Sequence, residues 1–253
     1  MDQPNLAQIL RYPVKGLSAE TLTAVALEPG RGLPHDRRFA FARGTARFDG
    51  APGWLPRSNF LNLSRDEKLA ALDTEFDAAT GTLTIRRDGR QVSRGQITTP
   101  TGRLIVQQFM AAYMSGAAGG APRLVEAASG AFTDSREPWI AILNLASVQD
   151  LEQRVAKAPV DPRRFRANLV VVDLPPWAEF GWVGRELQIG GARLRVTERI
   201  ERCAATNVAP GLGTRDLNLP QALQRGYGHC DMGVYAEVVE GGEIRLGDQI
   251  TVA

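Results

Sequence analysis

The 253-residue chain carries 30 Lys plus Arg against 28 Asp plus Glu, a formal net charge of +2, with 43% hydrophobic and 23% charged residues. This balance excludes a polybasic tail, an acidic solvating segment and a disordered or fibrous composition. The length suits one large domain or two smaller ones. Lys15, Lys68 and Lys157 are the only lysines, so 27 of the basic residues are arginine. They are spread along the chain with no stripe alternating with aromatics, and no nucleic-acid partner is expected. Two cysteines, Cys203 and Cys230, make no disulfide framework, so a reducing, cytoplasmic setting is the expectation. No secretory pattern is visible from Met1, and no apolar run reaches the about 18 residues of a membrane span.

In chain order, strands are expected over Leu22–Leu27 and Arg38–Ala42, then a hairpin in which Leu83–Arg87 meets Arg90–Val92 across Asp88-Gly89, a favoured two-residue turn. Helical spacing of Leu104, Ile105, Gln108, Phe109 and Ala112 predicts a helix over Arg103–Met114, capped by Thr101 and stopped at Gly116. The Gly- and Ala-rich stretch Ser115–Pro122 is the expected boundary between domains at 1–120 and 121–253, although a flexible surface loop inside one domain would read the same. A second helix follows Asn144-Leu145-Ala146, with Ser147 as its cap, Leu151 and Val155 on one face and Pro159 as its end. Strands return at Leu169–Val172, Leu187–Ile189, Arg193–Ile200, Gly233–Val239 and Ile250–Val252, with Gly190-Gly191 and Gly241-Gly242 as turns. The fold class is mainly β with a few helices (α+β), arranged as two β-rich units.

Familiar catalytic signatures are missing: there is no phosphate loop of the nucleotide-hydrolase type, no HExxH and no GxSxG. Only His35 and His229 are available, too few for a His-rich metal site. The sharpest local feature is Glu201-Arg202-Cys203-Ala204-Ala205-Thr206-Asn207, which follows a predicted strand. Arg199 and Arg202 give Cys203 an electropositive setting that favours the thiolate, hence nucleophilic, persulfide-forming or metal-ligating behaviour. From these residues alone, a small buried apolar thiol is the competing reading. Cys230 beside His229 supplies too few ligands for zinc and reads as structural. Asp36-Arg37-Arg38-Phe39 and Arg163-Arg164-Phe165-Arg166-Ala167-Asn168 suit either bidentate anion binding or surface ion pairs.

The order of these pieces is more telling than any one of them. Tyr12-Pro-Val-Lys-Gly-Leu17, Asp36-Arg37-Arg38-Phe39, Trp54-Leu-Pro-Arg-Ser-Asn-Phe60 and Asn144-Leu145-Ala146-Ser147 come first. Arg164-Phe165-Arg166-Ala167-Asn168, Gly184 with Ile189-Gly190, Arg202-Cys203, Gly233-Val234-Tyr235-Ala236 and Gly247-Asp248-Gln249-Ile250 follow. Together they resemble the MOSC proteins, named for the C-terminal domain of molybdenum cofactor sulfurases, over essentially the whole chain.

The resemblance implies an N-terminal MOSC β-barrel unit followed by a β-barrel MOSC domain, and it is closest in function to the amidoxime-reducing component and the bacterial hydroxylaminopurine-detoxifying proteins. It implies molybdenum cofactor as the bound group, with Cys203 as the metal ligand and catalytic residue. Lys15 and Arg37 would hold the pterin phosphate, with Arg166, Asn168 and Arg202 lining the cofactor and Ser147 and Thr206 as further contacts. Gly16 and Asn207 depart from the pattern, standing where some amidoxime reducers have Ser and where these reducers resemble one another in a second Thr. The implied activity is reduction of N-hydroxylated substrates (amidoximes, hydroxylamines, N-hydroxylated bases) with electrons from a separate electron-transfer protein. Two other readings stay open: a cofactor or persulfide sulfur carrier acting through Cys203, and a β-rich protein binding another anion.

Overall fold

Apolar residues placed to face inward from short strands, rather than long helical periods, set the architecture. In the computed structural model, which describes residues 3–48, 50–128 and 130–253, the opening Met1-Asp2 lies outside the described residues. The strands are β1 (Asn5–Arg11), β2 (Glu20–Leu22), β3 (Ala24–Leu27), β4 (Phe39–Ala42), β5 (Leu72–Asp77), β6 (Thr82–Arg87) and β7 (Arg90–Gln96). Helix α1 (Pro100–Tyr113), β8 (Arg123–Glu126), β9 (Ile140–Asn144), α2 (Leu145–Leu151) and β10 (Leu169–Val172) follow. The chain continues through β11 (Glu186–Ile189), β12 (Ala192–Glu201), α3 (Leu219–Tyr227), β13 (Asp231–Glu240), β14 (Gly242–Arg245) and β15 (Ile250–Val252).

Eight strands form one sheet in the order β15-β11-β12-β13-β9-β10-β1-β2, antiparallel except where β10 lies parallel to β9. The sheet curls on itself. Leu6 N–H donates to Asp248 at 2.9 Å and Ile250 N–H to Pro4 at 2.7 Å, so β1 and the approach to β15, distant in strand order, meet across the curl. Its enclosed face buries Leu6, Ile9, Ile142, Leu169, Leu194, Val234 and Ala236, all without exposure. A second core joins α1, through Val106 and Met110, to Phe39, Phe41, Leu83 and Ile85. Strands β5-β6-β7 form a separate meander.

The hairpin across Asp88-Gly89 is present, with φ of 50° and 74° at its two turn residues, as that turn requires. Other expectations shift. Leu22–Leu27 is two strands, because the chain changes partner at Thr23: β2 pairs with β1, β3 with β14. The cap of α1 is Thr99, not Thr101. Thr99 is extended and accepts from the Gly102 N–H, while Pro100 occupies the first turn, where its missing N–H is harmless. Helix α2 is capped by Asn144, whose side chain accepts from the Ala146 N–H, so Ser147 lies inside the helix. The segment reaching Val155 is a π-turn over Glu152–Ala156, closed by Lys157 in the left-handed region. Strands β1, β5, β8, β9 and β14 and helix α3 add to the expected set.

The sequence division at 1–120 and 121–253 does not coincide with a sheet boundary. Strand β1 pairs with β10, β3 with β14 and β4 with β8, each pair spanning residue 120. Among the described residues no helix is long and apolar enough to cross a membrane.

Candidate functional site

The curl of the large sheet brings the end of β12, the turn before β10, the Tyr12–Leu17 loop and the Asp36-Arg37 turn to one cleft. Its cavity volume is about 190 Å³. Seven of the eight residues singled out in the sequence line it: Lys15, Arg37, Arg166, Asn168, Arg202, Cys203 and Thr206. Arg57 and Arg164 raise the cationic side chains in the lining to six, against the carboxylates of Asp134 and Glu201. A cleft with this imbalance focuses positive potential and attracts anions.

Arg166 and Arg202 are held by main-chain oxygens alone, whereas Lys15, Arg37 and Arg164 each combine a main-chain oxygen with a carboxylate. Arg37 donates to Asp36, to the Arg166 carbonyl at 2.7 Å and, at 3.5 Å, to Asn168 Oδ1. Arg166 Nη1 donates to the Leu17 carbonyl at 2.7 Å, while its Nη2 is buried without a partner among the described residues. Arg202 donates to the carbonyls of Phe165 (2.8 Å) and Met232. Lys15 Nζ donates to the Phe132 carbonyl at 2.8 Å and to Asp134 at 2.6 Å. Asn168 fixes the floor: its Oδ1 accepts from the Ala141 N–H at 3.2 Å and its Nδ2 donates to the Leu10 carbonyl at 3.2 Å.

Arg37 and Arg166 both occupy the left-handed backbone region, at φ of 47° and 51°. Non-glycine residues rarely adopt it, and it costs about 1 kcal/mol or more each, so the surrounding bonds must over-determine these two turns. Gly233, at φ 75°, lets β13 approach β9: a Cβ there would stand 2.4 Å from the Ile142 carbonyl and 3.3 Å from Arg202 Nη2.

Electrostatics distinguish the arginines. Burial lowers the Arg166 pKa to about 10, with the Arg37 charge adding to it, and burial likewise lowers Arg202 to about 10. Burial also opposes the charge of Arg37, but Asp36 outweighs it and holds Arg37 above its ordinary range. Lys15 is pulled below its usual value by burial despite Asp134, and Tyr235, which lines the cleft, is pushed up by burial and stays a neutral phenol.

Cys203 is a free, partly exposed thiol at the lip of β12, opening a 3-10 turn over Ala204–Asn207. Thr206 turns back on it, its hydroxyl donating to the Cys203 carbonyl at 2.9 Å, so Thr206 shapes the loop. Arg199, read as part of the electropositive setting of Cys203, lies elsewhere: its guanidinium is 4.3 Å from the Phe180 ring centroid and it does not line the cleft. Arg202 supplies that charge instead.

Ser147 is the residue the fold does not bring to the cleft. It is fully buried, donates to both oxygens of Glu179 at 2.7 and 2.9 Å, and accepts from the Trp177 N–H. Its motif caps and packs α2, away from the cleft. Cys230 contacts the Pro220 carbonyl and Gln224, consistent with a structural role. Among the described residues no group of three or more His, Cys, Asp or Glu is placed to hold a metal unaided.

Tyr12, Asp134, Arg57, Trp139 and Tyr235 were not singled out as site residues. Tyr12, Arg57 and Tyr235 stood within the motifs named above and carried a signal. Asp134 reaches Lys15 across 119 positions of sequence, which no local pattern encodes.

Residues 3–134 match the MOSC N-terminal beta barrel domain and residues 130–251 the MOSC domain. Among solved structures, the chain is similar to YiiM from Geobacillus stearothermophilus, with 20% identity over 45% of this chain and 53% of that one and a TM-score of 0.36. It therefore spans about half the length of YiiM. It is also similar to the YuaD protein of Bacillus subtilis, with 12% identity over 99% and 96% of the two chains and a TM-score of 0.48. No curated protein matches it. The two domain matches together run from residue 3 to residue 251, and the chain belongs to the MOSC domain proteins, a family associated with molybdenum cofactor binding.

Proposed function

We propose that this protein binds molybdenum cofactor in the cationic cleft and, in a reducing cytoplasmic setting, reduces N-hydroxylated small molecules with electrons from a separate electron-transfer protein. The observation that carries the reading is the convergence of Cys203 with Lys15, Arg37, Arg166, Arg202, Asn168 and Thr206 on one cleft.

The donor set fits the group. A pterin phosphate calls for forked and point cations, and Arg166 offers a buried Nη2 without a partner among the described residues. A soft thiolate suits a sulfur-rich transition-metal centre, and Cys203 is a free thiol beside Arg202. Cys203 alone cannot complete a coordination shell, so the remaining ligands would have to come with the cofactor.

Bound there, the group supplies two-electron oxygen-atom chemistry. The chain's own residues do the holding. Lys15, Arg37 and Arg166 would neutralise the phosphate, Asn168 and Arg202 would line the pterin, and the Thr206 hydroxyl keeps the loop carrying Cys203 turned toward the cleft. Tyr235 remains protonated beside them and can donate a hydrogen bond to substrate; the Trp139 ring, with its centroid 5.5 Å from that of Tyr235, covers one wall against water.

The test is the metal and pterin content of protein purified from a host that makes molybdenum cofactor, with Cys203→Ala alongside. Near-stoichiometric molybdenum that is lost in the variant is the expected result. Protein free of both molybdenum and pterin would refute the reading, and sulfane sulfur on Cys203 without molybdenum would replace it with the carrier.

A further inference from the structure

Tyr12 lies behind the cationic wall of the cleft. Its side chain is 2% exposed, and its ring centroid is 4.4 Å from the Arg37 guanidinium carbon and 4.2 Å from that of Arg166. Its hydroxyl has no hydrogen-bond partner among the described residues. A buried phenol is ordinarily kept for its hydroxyl bond. Here no described residue takes that bond, and what the residue offers its neighbours is the face of its ring.

That face answers a specific problem. Arg37 Nη2 donates to the Arg166 carbonyl, so the two arginines are adjacent, and both are charged. Arg37 has Asp36 as counter-ion, but Arg166 has no carboxylate within ion-pair distance among the described residues. Before an anion binds, repulsion and the pull of solvent would splay Arg166 away from Arg37. An aromatic face within about 6 Å attracts a guanidinium through its quadrupole, more strongly where water is excluded. The Tyr12 backbone adds a second tie, its N–H donating to Asp36 at 2.8 Å, so the same residue steadies the counter-ion of one arginine and the charge of both.

We infer that Tyr12 is a positioning residue whose aromatic face holds Arg37 and Arg166 together as a pre-ordered clamp for an anionic group. Without it, each binding event would have to order two long side chains at the expense of affinity. The inference rests on the reading of the cleft as an anion-holding cofactor site.

The probe is inorganic pyrophosphate, titrated into the cofactor-free full-length chain. Tyr12→Phe keeps the ring and discards only the unbonded hydroxyl, so its dissociation constant is expected within about twofold of the parent. Tyr12→pentafluorophenylalanine keeps the shape but reverses the quadrupole, and is expected to weaken binding about tenfold, a ratio equivalent to ~1.4 kcal/mol. Tyr12→3,5-difluorophenylalanine, a milder change, is expected to fall between them and serves if the fully fluorinated protein does not fold. A purely packing role would leave the series flat, and equal affinities for the Phe and fluorinated variants would overturn the inference. If the parent chain itself does not bind pyrophosphate, the reading of the cleft fails first and the clamp falls with it; parental binding with a flat series removes only the clamp.

Discussion

Replacing Arg37 and Arg166 in turn by methionine separates a paired buried charge from an unpaired one. The Arg37 side chain is 12% exposed and that of Asp36 5%, and Asp36 Oδ1 also takes the Tyr12 N–H. Arg37→Met therefore strands a buried carboxylate, a loss of about 3–5 kcal/mol. Among the described residues Arg166 has no such partner. Its pKa of about 10 against an ordinary 12.5 corresponds to about 3 kcal/mol of penalty on the charged form, reduced by solvent in the open cleft to about 1–3 kcal/mol. Relief of that penalty offsets the lost bond to the Leu17 carbonyl, about 1.5–3 kcal/mol, and part of the attraction to Tyr12. Arg166→Met is expected within about 1 kcal/mol of the parent in urea unfolding, while Arg37→Met lowers the thermal midpoint by about 6–20 °C. Both should weaken pyrophosphate binding about tenfold or more. Equal destabilisation by the two substitutions would refute the claim that the cleft carries an uncompensated cation.

Three further outcomes follow from the packing. Gly233→Ala meets the Ile142 carbonyl at 2.4 Å and Arg202 at 3.3 Å in addition to its φ of 75°, whereas Gly228→Ala, at φ 77°, meets nothing within 4 Å. Thermal unfolding should show a loss of about 2–4 kcal/mol for the first and about 1 kcal/mol for the second, and equal losses would show that the close approach is not a constraint. Glu179, fully buried and bonded to Ser147 and Asn144, has its pKa raised, above all by burial. Its native form thus favours the proton, so its contribution is complete below the unfolded glutamate pKa, near 4.5, and is lost as pH rises through the higher native value. Glu179→Gln should remove that decline from a stability-against-pH series measured upward from pH 4, and an unchanged slope would exclude Glu179 as its source. Thr99→Ala should cost about 1 kcal/mol of stability, and Thr101→Ala close to nothing, in paired denaturant titrations.

Local chemistry made some elements readable in advance. Asp88-Gly89 specifies its own hairpin because the turn needs two residues that tolerate positive φ, and both are adjacent in sequence. Helix α1 was legible from its apolar spacing, though its start was misplaced, since a Thr-Pro pair three residues upstream provided the better cap. Strand β8 was missed because it is defined by a distant partner, β4, rather than by any turn beside it. Seven of the eight residues named from the motifs line one cleft and Ser147 does not, because the order of motifs along the chain does not say which face of α2 a residue occupies.

The sequence by itself determined the strand-rich class, the short-range turns, the family and the identity of most cationic residues in the cleft, since each of these is written in neighbouring residues or their order. Only the tertiary structure decided which charges are compensated. Asp134 reaches Lys15 across 119 positions and Arg166 reaches the Leu17 carbonyl across 149. Compensation depends on distance in space and on exclusion of water, and both are set by the curl of the sheet after distant segments have paired.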